Sequence, residues 1–137
     1  DIIVGFPGET EEEFQETLEV VSKVRFDTAF MFKYSERPGT KASNYTDQIS
    51  EDVKQSRLQT LIEFQHKISL MNNRRRIGLN LDVIIEKESK RSDNQWAGRI
   101  EANCWVIFDK KDDYKIGDLV NVNIIDAKGI SLFGKIN

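Results

Sequence analysis

The run Gly5-Phe6-Pro7-Gly8-Glu9-Thr10 sets two glycines, a proline and a carboxylate between an apolar stretch and a helical pattern. In α/β folds ligands bind where strand C-termini meet helix N-termini, and glycines there let the backbone approach them. The same residues also make an ordinary strand-to-helix turn, and short glycine motifs recur too often for the spacing to choose. A second group is Tyr34, Arg37 and Thr40, at the start of the polar loop Ser35 to Ile49. A guanidinium in a glycine-containing loop can hold a phosphate or carboxylate with two parallel hydrogen bonds. A solvated surface arginine is the equal alternative, and Tyr34 can stack on a base or simply pack. The third group is basic: Arg74, Arg75 and Arg76, then Lys87, Lys90, Arg91 and Arg99, interleaved with Trp96 and Trp105. Small barrels bind nucleic acid with such mixtures of cations and aromatics. Against that, residues 79–137 hold nine basic and ten acidic residues, so most of this charge is a solvated mixture. His66 lies between Gln65 and Lys67 with no catalytic partner in sequence reach and reads as a surface or boundary residue. No residue is assigned a catalytic role.

Composition narrows the classes. With 137 residues, 31% charged and 39% hydrophobic, the chain is too apolar for a disordered tail and too charged for a membrane protein. No stretch approaches the ~20 apolar residues of a membrane span. Cys104 is the only cysteine, which excludes a disulfide scaffold. Together with the only histidine it cannot build a zinc or iron–sulfur site, so no metal site is expected. The net charge of −3 argues against a generally basic nucleic-acid binder but leaves room for a local basic face. The chain opens at Asp1 directly before Ile2-Ile3-Val4, in mid-strand, so a piece of a longer polypeptide is expected.

The elements that must position these groups follow from periodicity. Ile2 to Phe6 has the continuous apolar character of a strand buried on both faces. Thr10 followed by Glu13 fits a capping box, and Glu11, Glu12 and Glu13 sit where the helix dipole favours negative charge. Phe14, Leu18 and Val21, with Val24 nearby, form the apolar face of that helix. Asp27 to Tyr34 reads as a second buried strand, giving a βαβ unit expected to be parallel and right-handed. Ser50 caps a long helix ending near Ile77, with Leu58, Leu61, Ile62, Phe64, Ile68 and Met71 as its apolar face. Arg74 to Arg76 then fall in its last turn, with Gly78 as C-cap. Beyond Gly78, five strands are expected: Leu81–Glu86, Trp96–Ala102 after a turn at Ser92-Asp93-Asn94, Trp105–Phe108, Leu119–Ile125 and Ser131–Ile136. They predict a small OB-like β-barrel. The fold class is α+β, with a partial βαβ over 1–49, a connecting helix over 50–77 and the barrel over 78–137.

Two blocks resemble one family. Residues 1–10, Asp-Ile-Ile-Val-Gly-Phe-Pro-Gly-Glu-Thr, then a helix and Phe-Lys-Tyr-Ser-Glu-Arg-Pro-Gly-Thr over 32–40, are similar to the late barrel strands of the radical-SAM methylthiotransferases. The likeness is greatest to the tRNA 2-methylthio-N6-dimethylallyladenosine synthases. Glu86-x-Glu88-Ser89-Lys90, Gly98-Arg99, Asn103 and Val106-x-Phe108 resemble the TRAM domain that ends those enzymes. The blocks stand in the family's order and cover nearly the whole chain. The resemblance implies that 1–49 is the C-terminal part of a radical-SAM (βα) barrel and 78–137 a TRAM RNA-binding module. The full-length protein would be a cytoplasmic, monomeric tRNA-modifying transferase. It would add a methylthio group to an N6-modified adenosine beside the anticodon, using S-adenosylmethionine and two 4Fe-4S clusters, with tRNA as partner and no membrane.

The family's cluster-binding cysteines are absent here, so this segment is expected to be inactive alone, and Cys104 to be a packed hydrophobe. The family pattern Gly-x-Ile-x-Gly-x-x-Glu, near the adenine of S-adenosylmethionine, is matched by Ile3 and Gly5. Its first glycine position is Asp1 and its glutamate position is Gly8, with Glu9 one further on, which leaves the role of Glu9 open. Ile3, Gly5 and Phe6 are therefore expected to contact the cofactor through backbone and apolar surface. Tyr34, Arg37 and Thr40 become substrate-binding residues at the barrel mouth, and Arg74, Arg75, Arg76, Lys87, Lys90, Arg91 and Arg99 become tRNA contacts. A partial barrel leaves strand edges unpaired, so association of the segment is also expected. The alternatives are a sister methylthiotransferase, acting on a ribosomal protein or another modified adenosine, and a stand-alone RNA-binding module.

Overall fold

Glycine at residue 5 ends the first strand early. In the computed structural model, which describes residues 1–90, 92–111 and 114–136, β1 covers only Ile2–Val4 and Gly5 follows at φ +73°. The helix α1 (Glu11–Val24) leads to β2 (Met31–Lys33), and β1 pairs with β2 in parallel, Ile2 with Met31 and Val4 with Lys33. The βαβ order holds, but the strands are shorter than Ile2–Phe6 and Asp27–Tyr34. They are also not buried on both faces. Val4 is fully buried, whereas Ile3, Phe30 and Phe32 are more than half exposed. Neighbouring strand residues point to opposite faces, and only the Val4 face is covered.

The capping box at α1 is present: Thr10 Oγ1 accepts from the Glu13 N–H at 3.2 Å and Glu13 Oε2 accepts from the Thr10 N–H at 2.8 Å. Phe14 and Val21 are buried and Leu18 half-buried, but Val24 is exposed, off the edge of that stripe and next to the left-handed cap at Arg25.

The long helix α2 covers Glu51–Arg74, and Ser50 Oγ accepts from the Val53 N–H at its start. It ends three residues before Ile77. Arg75 and Arg76 therefore lie in the turn before Gly78, not in a last helical turn. Its buried stripe also differs from the expected one. Lys54, Arg57, Leu61, Gln65, Ile68, Ser69 and Asn73 are buried, Leu58, Ile62 and Phe64 are half-buried and Met71 is exposed. The chain divides into two compact units, Asp1–Gln65 and His66–Asn137, and the division falls within α2.

The second unit is a closed five-stranded barrel of β3 (Asn80–Ser89), β4 (Ser92–Arg99), β5 (Trp105–Asp109), β6 (Leu119–Lys128) and β7 (Ser131–Ile136), in the order β3-β4-β5-β7-β6. β6 closes it against β3, and every pair is antiparallel except β5 with β7. Closure brings backbones close together: a Cβ on Gly98 would collide with the Ile84 carbonyl and with Val83. The core holds Val83, Ile85, Val106, Phe108, Val120, Val122, Ile124 and Leu132. The β3–β4 hairpin is longer than its apolar pattern suggests. Ser92 and Asn94, expected in a turn, belong to β4, and β4 stops at Arg99 instead of Ala102. Arg91 lies outside the described residues. Among the described residues no helix is long and apolar enough to cross a membrane.

Candidate functional site

Parallel pairing sends the C-terminal ends of β1 and β2 to the same edge, and an open cavity of about 570 Å³ lies there. Ile3, Phe6, Tyr34, Arg37 and Thr40 all line it, with Phe32 and Lys33 beside them. The edge of the Phe6 ring meets Tyr34 at 5.2 Å between centroids, and Tyr45 lies at 6.4 Å on the same ring. The Tyr34 hydroxyl is buried with no hydrogen-bond partner among the described residues. The loop is pinned from inside: the Arg37 carbonyl accepts from Thr40 N–H at 3.2 Å and Thr40 Oγ1 at 2.8 Å. That leaves the Arg37 side chain exposed, with no ion-pair partner among the described residues.

Gly5 does not line the cavity. Its left-handed φ suits glycine, and a Cβ there would run into the Lys54 side chain. Its N–H donates to Glu9 Oε1 at 2.8 Å. Arg57 Nη1 donates to that same oxygen at 2.8 Å and to the Glu9 carbonyl at 2.9 Å, and its Nη2 reaches Glu11 Oε2 at 3.4 Å. Arg57 and Glu9 side chains are only 9% and 12% exposed. Lys54 Nζ donates to the Tyr34 carbonyl at 3.5 Å and pairs with Glu51 at 2.6 Å. Lys54 and Lys33 together hold the Glu51 carboxyl below its ordinary value. Glu9 is thus a structural anchor: with Arg57 and Lys54 it fixes the turn and the strand end that shape the cavity wall.

On the barrel, Trp105 collects two cations, Lys87 Nζ and the Arg99 guanidinium, each 4.2 Å from the ring centroid. Arg99 also contacts Glu86 at 3.4 Å and donates to Asn103 Oδ1. Lys87, Lys90 and Trp105 line one groove of about 250 Å³. Lys90 sits at the hairpin turn, whereas Arg99 pairs with Ile84 at the other end of β4, so the hairpin does not gather all four predicted cations at one end. Lys110 Nζ lies 4.2 Å over Trp96, which packs against the core. Arg76 donates to Asn73 Oδ1 at 3.1 Å. Cys104 is 1% exposed within the core, and its thiol donates to the Ala102 carbonyl at 3.5 Å.

Residues 74–136 match the model of the TRAM domain family. Over nearly its whole length the chain is similar to proteins named tRNA-2-methylthio-N(6)-dimethylallyladenosine synthase. It is 46% identical to that of Christiangramia forsetii, covering 98% of this chain and 28% of the relative. For Porphyromonas gingivalis the identity is 47%, over 99% and 29%. For Azobacteroides pseudotrichonymphae it is 49%, over 98% and 30%. The chain is thus similar throughout to a part of these synthases, with the TRAM match in its second half. It spans less than a third of their length.

Of the residues expected at a site, the structure brings Ile3, Phe6, Tyr34, Arg37 and Thr40 together and leaves out Gly5. On the TRAM barrel it joins Lys87 and Lys90 at Trp105, and holds Arg99 on the same indole in partnership with Glu86. Arg74 ends α2, and Arg75 and Arg76 occupy the following turn. Sequence reasoning missed Lys54 and Arg57. Both stand at positions where a helix shows charge to solvent, and the partners that hold them inside, the Tyr34 carbonyl for Lys54 and Glu9 for Arg57, lie 20 and 48 residues away.

Proposed function

We propose that the chain is a segment of a cytoplasmic tRNA methylthiotransferase that modifies an N6-substituted adenosine. In this reading residues 1–49 complete a radical-SAM barrel, 50–77 connect, and the TRAM barrel of 78–137 holds tRNA. The observation that carries it is the convergence of Ile3, Phe6, Tyr34, Arg37 and Thr40 on one cavity. The cavity's size is that of small-molecule sites, about 300–1,000 Å³. Its aromatic wall and the exposed Arg37 guanidinium, without an ion-pair partner among the described residues, fit S-adenosylmethionine or the target nucleotide. Ile3 and Phe6 would hold the adenine by apolar contact. Arg37 and Thr40 would hold a carboxylate or phosphate, and Tyr34 would offer its ring to a base. When bound, S-adenosylmethionine supplies radical chemistry at an unreactive C–H bond and a methyl group.

The described residues do not fit an iron–sulfur cluster. Among them no three candidate metal ligands group together, and Cys104 is sealed in the barrel core. The two 4Fe-4S clusters of the reading would be held by other parts of the longer protein, and this segment alone would be inactive. In the full-length protein, Arg37→Ala should lower methylthio transfer to tRNA by roughly 10- to 100-fold, the loss of one charge-assisted pair, with cluster content unchanged. Mass spectrometry of the modified nucleoside reads the outcome. Wild-type turnover in a folded, cluster-loaded Arg37→Ala protein would make Arg37 a solvated loop residue and remove the support of the cavity.

A further inference from the structure

We propose that the groove beside Trp105 is a notch for one unpaired nucleotide, its base stacked on the indole and its phosphate held by Lys87 and Lys90. This rests on the RNA-binding reading above and deepens it, because it states that the RNA held here is single-stranded. The register builds the groove. Ala97 pairs with Ile107, Arg99 with Trp105, and Trp105 with Ser131, all on the outer side of the barrel. Ala97 and Ile107 make a small apolar floor, and the half-buried Trp105 ring makes a wall. A bulge between Ile85 and Lys87 breaks the alternation of β3, so that Lys87 comes opposite Ala97 with its ammonium on the indole. Bulges commonly re-aim a side chain in this way.

Charge points to the ligand. Arg99, Lys110 and Lys128 each have a carboxylate partner, in Glu86, Glu88 and Asp126. Lys87 and Lys90, the two cations of the groove, have none among the described residues. Two uncompensated ammonium groups beside an aromatic wall and an apolar floor suit a ligand with a flat π-face and a phosphate. A duplex would present sugar, phosphate and base edges but no free base face, since its bases are stacked inside, and the indole would then have nothing to stack on. Stacking of a base on an aromatic ring outweighs an exposed cation–π contact, so Lys87 leaves the ring for the phosphate when the base arrives. The volume of about 250 Å³ suits a single nucleotide.

The test uses the whole 137-residue chain. Trp96→Phe leaves Trp105 as the only tryptophan, and its fluorescence is followed on titration with short oligouridylate and oligoadenylate, an RNA duplex, inorganic polyphosphate and polyglutamate. The oligonucleotides should quench Trp105, and the other three should not. By anisotropy, Trp105→Ala should weaken single-strand binding about tenfold. Trp105→Phe, which keeps a ring, should weaken it less and covers the case in which the alanine variant misfolds. Lys90→Gln should flatten the log–log salt slope by about 0.7. Equal quenching and affinity with duplex or polyphosphate would overturn the notch in favour of a plain anion site, and preference for polyglutamate in favour of an acidic protein partner. Single-strand binding that is indifferent to Trp105 and Lys90 would overturn the notch and leave the RNA-binding reading standing. No RNA binding by the wild-type chain would overturn both.

Discussion

Removing the Arg57 charge tests the anchor beneath the cavity. Arg57→Met keeps the aliphatic stem that packs in the interior and deletes the guanidinium. Among the described residues Glu9, 12% exposed, then keeps only the Gly5 N–H at 2.8 Å as a partner for its inner oxygen. Breaking a buried pair by removing one member costs about 3–5 kcal/mol, because the other charge stays desolvated. The remaining hydrogen bond and the residual exposure place the expected loss at the lower end, about 3 kcal/mol. The Arg57–Glu11 contact adds little, since Glu11 is 62% exposed and such pairs contribute about 0–1 kcal/mol. Glu9→Gln should cost less, about 1–2 kcal/mol, because Arg57 keeps the Glu9 carbonyl and Glu11 and the amide oxygen still accepts. The double variant Arg57→Met/Glu9→Gln removes both charges and should recover about 2 kcal/mol relative to the sum of the singles. Urea unfolding followed by the helical circular-dichroism signal reads all four proteins on one scale. A loss below about 1 kcal/mol for Arg57→Met, or strict additivity in the double variant, would refute the anchoring role and the account of Glu9 with it.

The barrel gives a steric counterpart: Gly98→Ala should destabilise the chain by about 2–3 kcal/mol, because a Cβ there meets the Ile84 carbonyl and Val83, neither a flexible chain end. An unchanged unfolding midpoint would show that the strands can part at no cost. The Glu51 carboxyl should titrate below its ordinary value by NMR, chiefly through Lys54 and then Lys33, and Lys54→Met should raise it. Since the folded-state value is the lowered one, this contribution is present above the ordinary glutamate range and fades as pH falls through the lowered value. A Glu51 titration indifferent to Lys54→Met would remove that cause. Anaerobic reconstitution of the chain should give no iron–sulfur absorbance, because its one thiol is buried in the barrel core. Stoichiometric iron uptake would falsify the placement of the clusters elsewhere.

The sequence by itself determined the local features, whose energies are settled within a few residues. The Thr10–Glu13 capping box, the glycine that ends β1, the start of α2 at Ser50 and the alternation that marks the barrel strands all depend on near neighbours. Parallel pairing also brings the chain that follows β1 and the chain that follows β2 to one edge, where Ile3, Phe6, Tyr34, Arg37 and Thr40 line one cavity while Gly5, expected with them, does not. Tertiary structure alone decided which faces are covered. Val24 and Met71 fit an apolar stripe by spacing yet stand exposed, while Lys54, Arg57, Gln65, Ser69 and Asn73 are buried. Burial of such groups is repaid by partners distant in sequence, as for Arg57 with Glu9 and Gln65 with the Phe26 carbonyl. A charged residue at helical spacing looks the same whether it will meet water or a carboxylate. The bulge that sets Lys87 over Trp105 is of the same kind, because a one-residue slip in register is fixed by the neighbouring strand and leaves no mark in the sequence of its own strand.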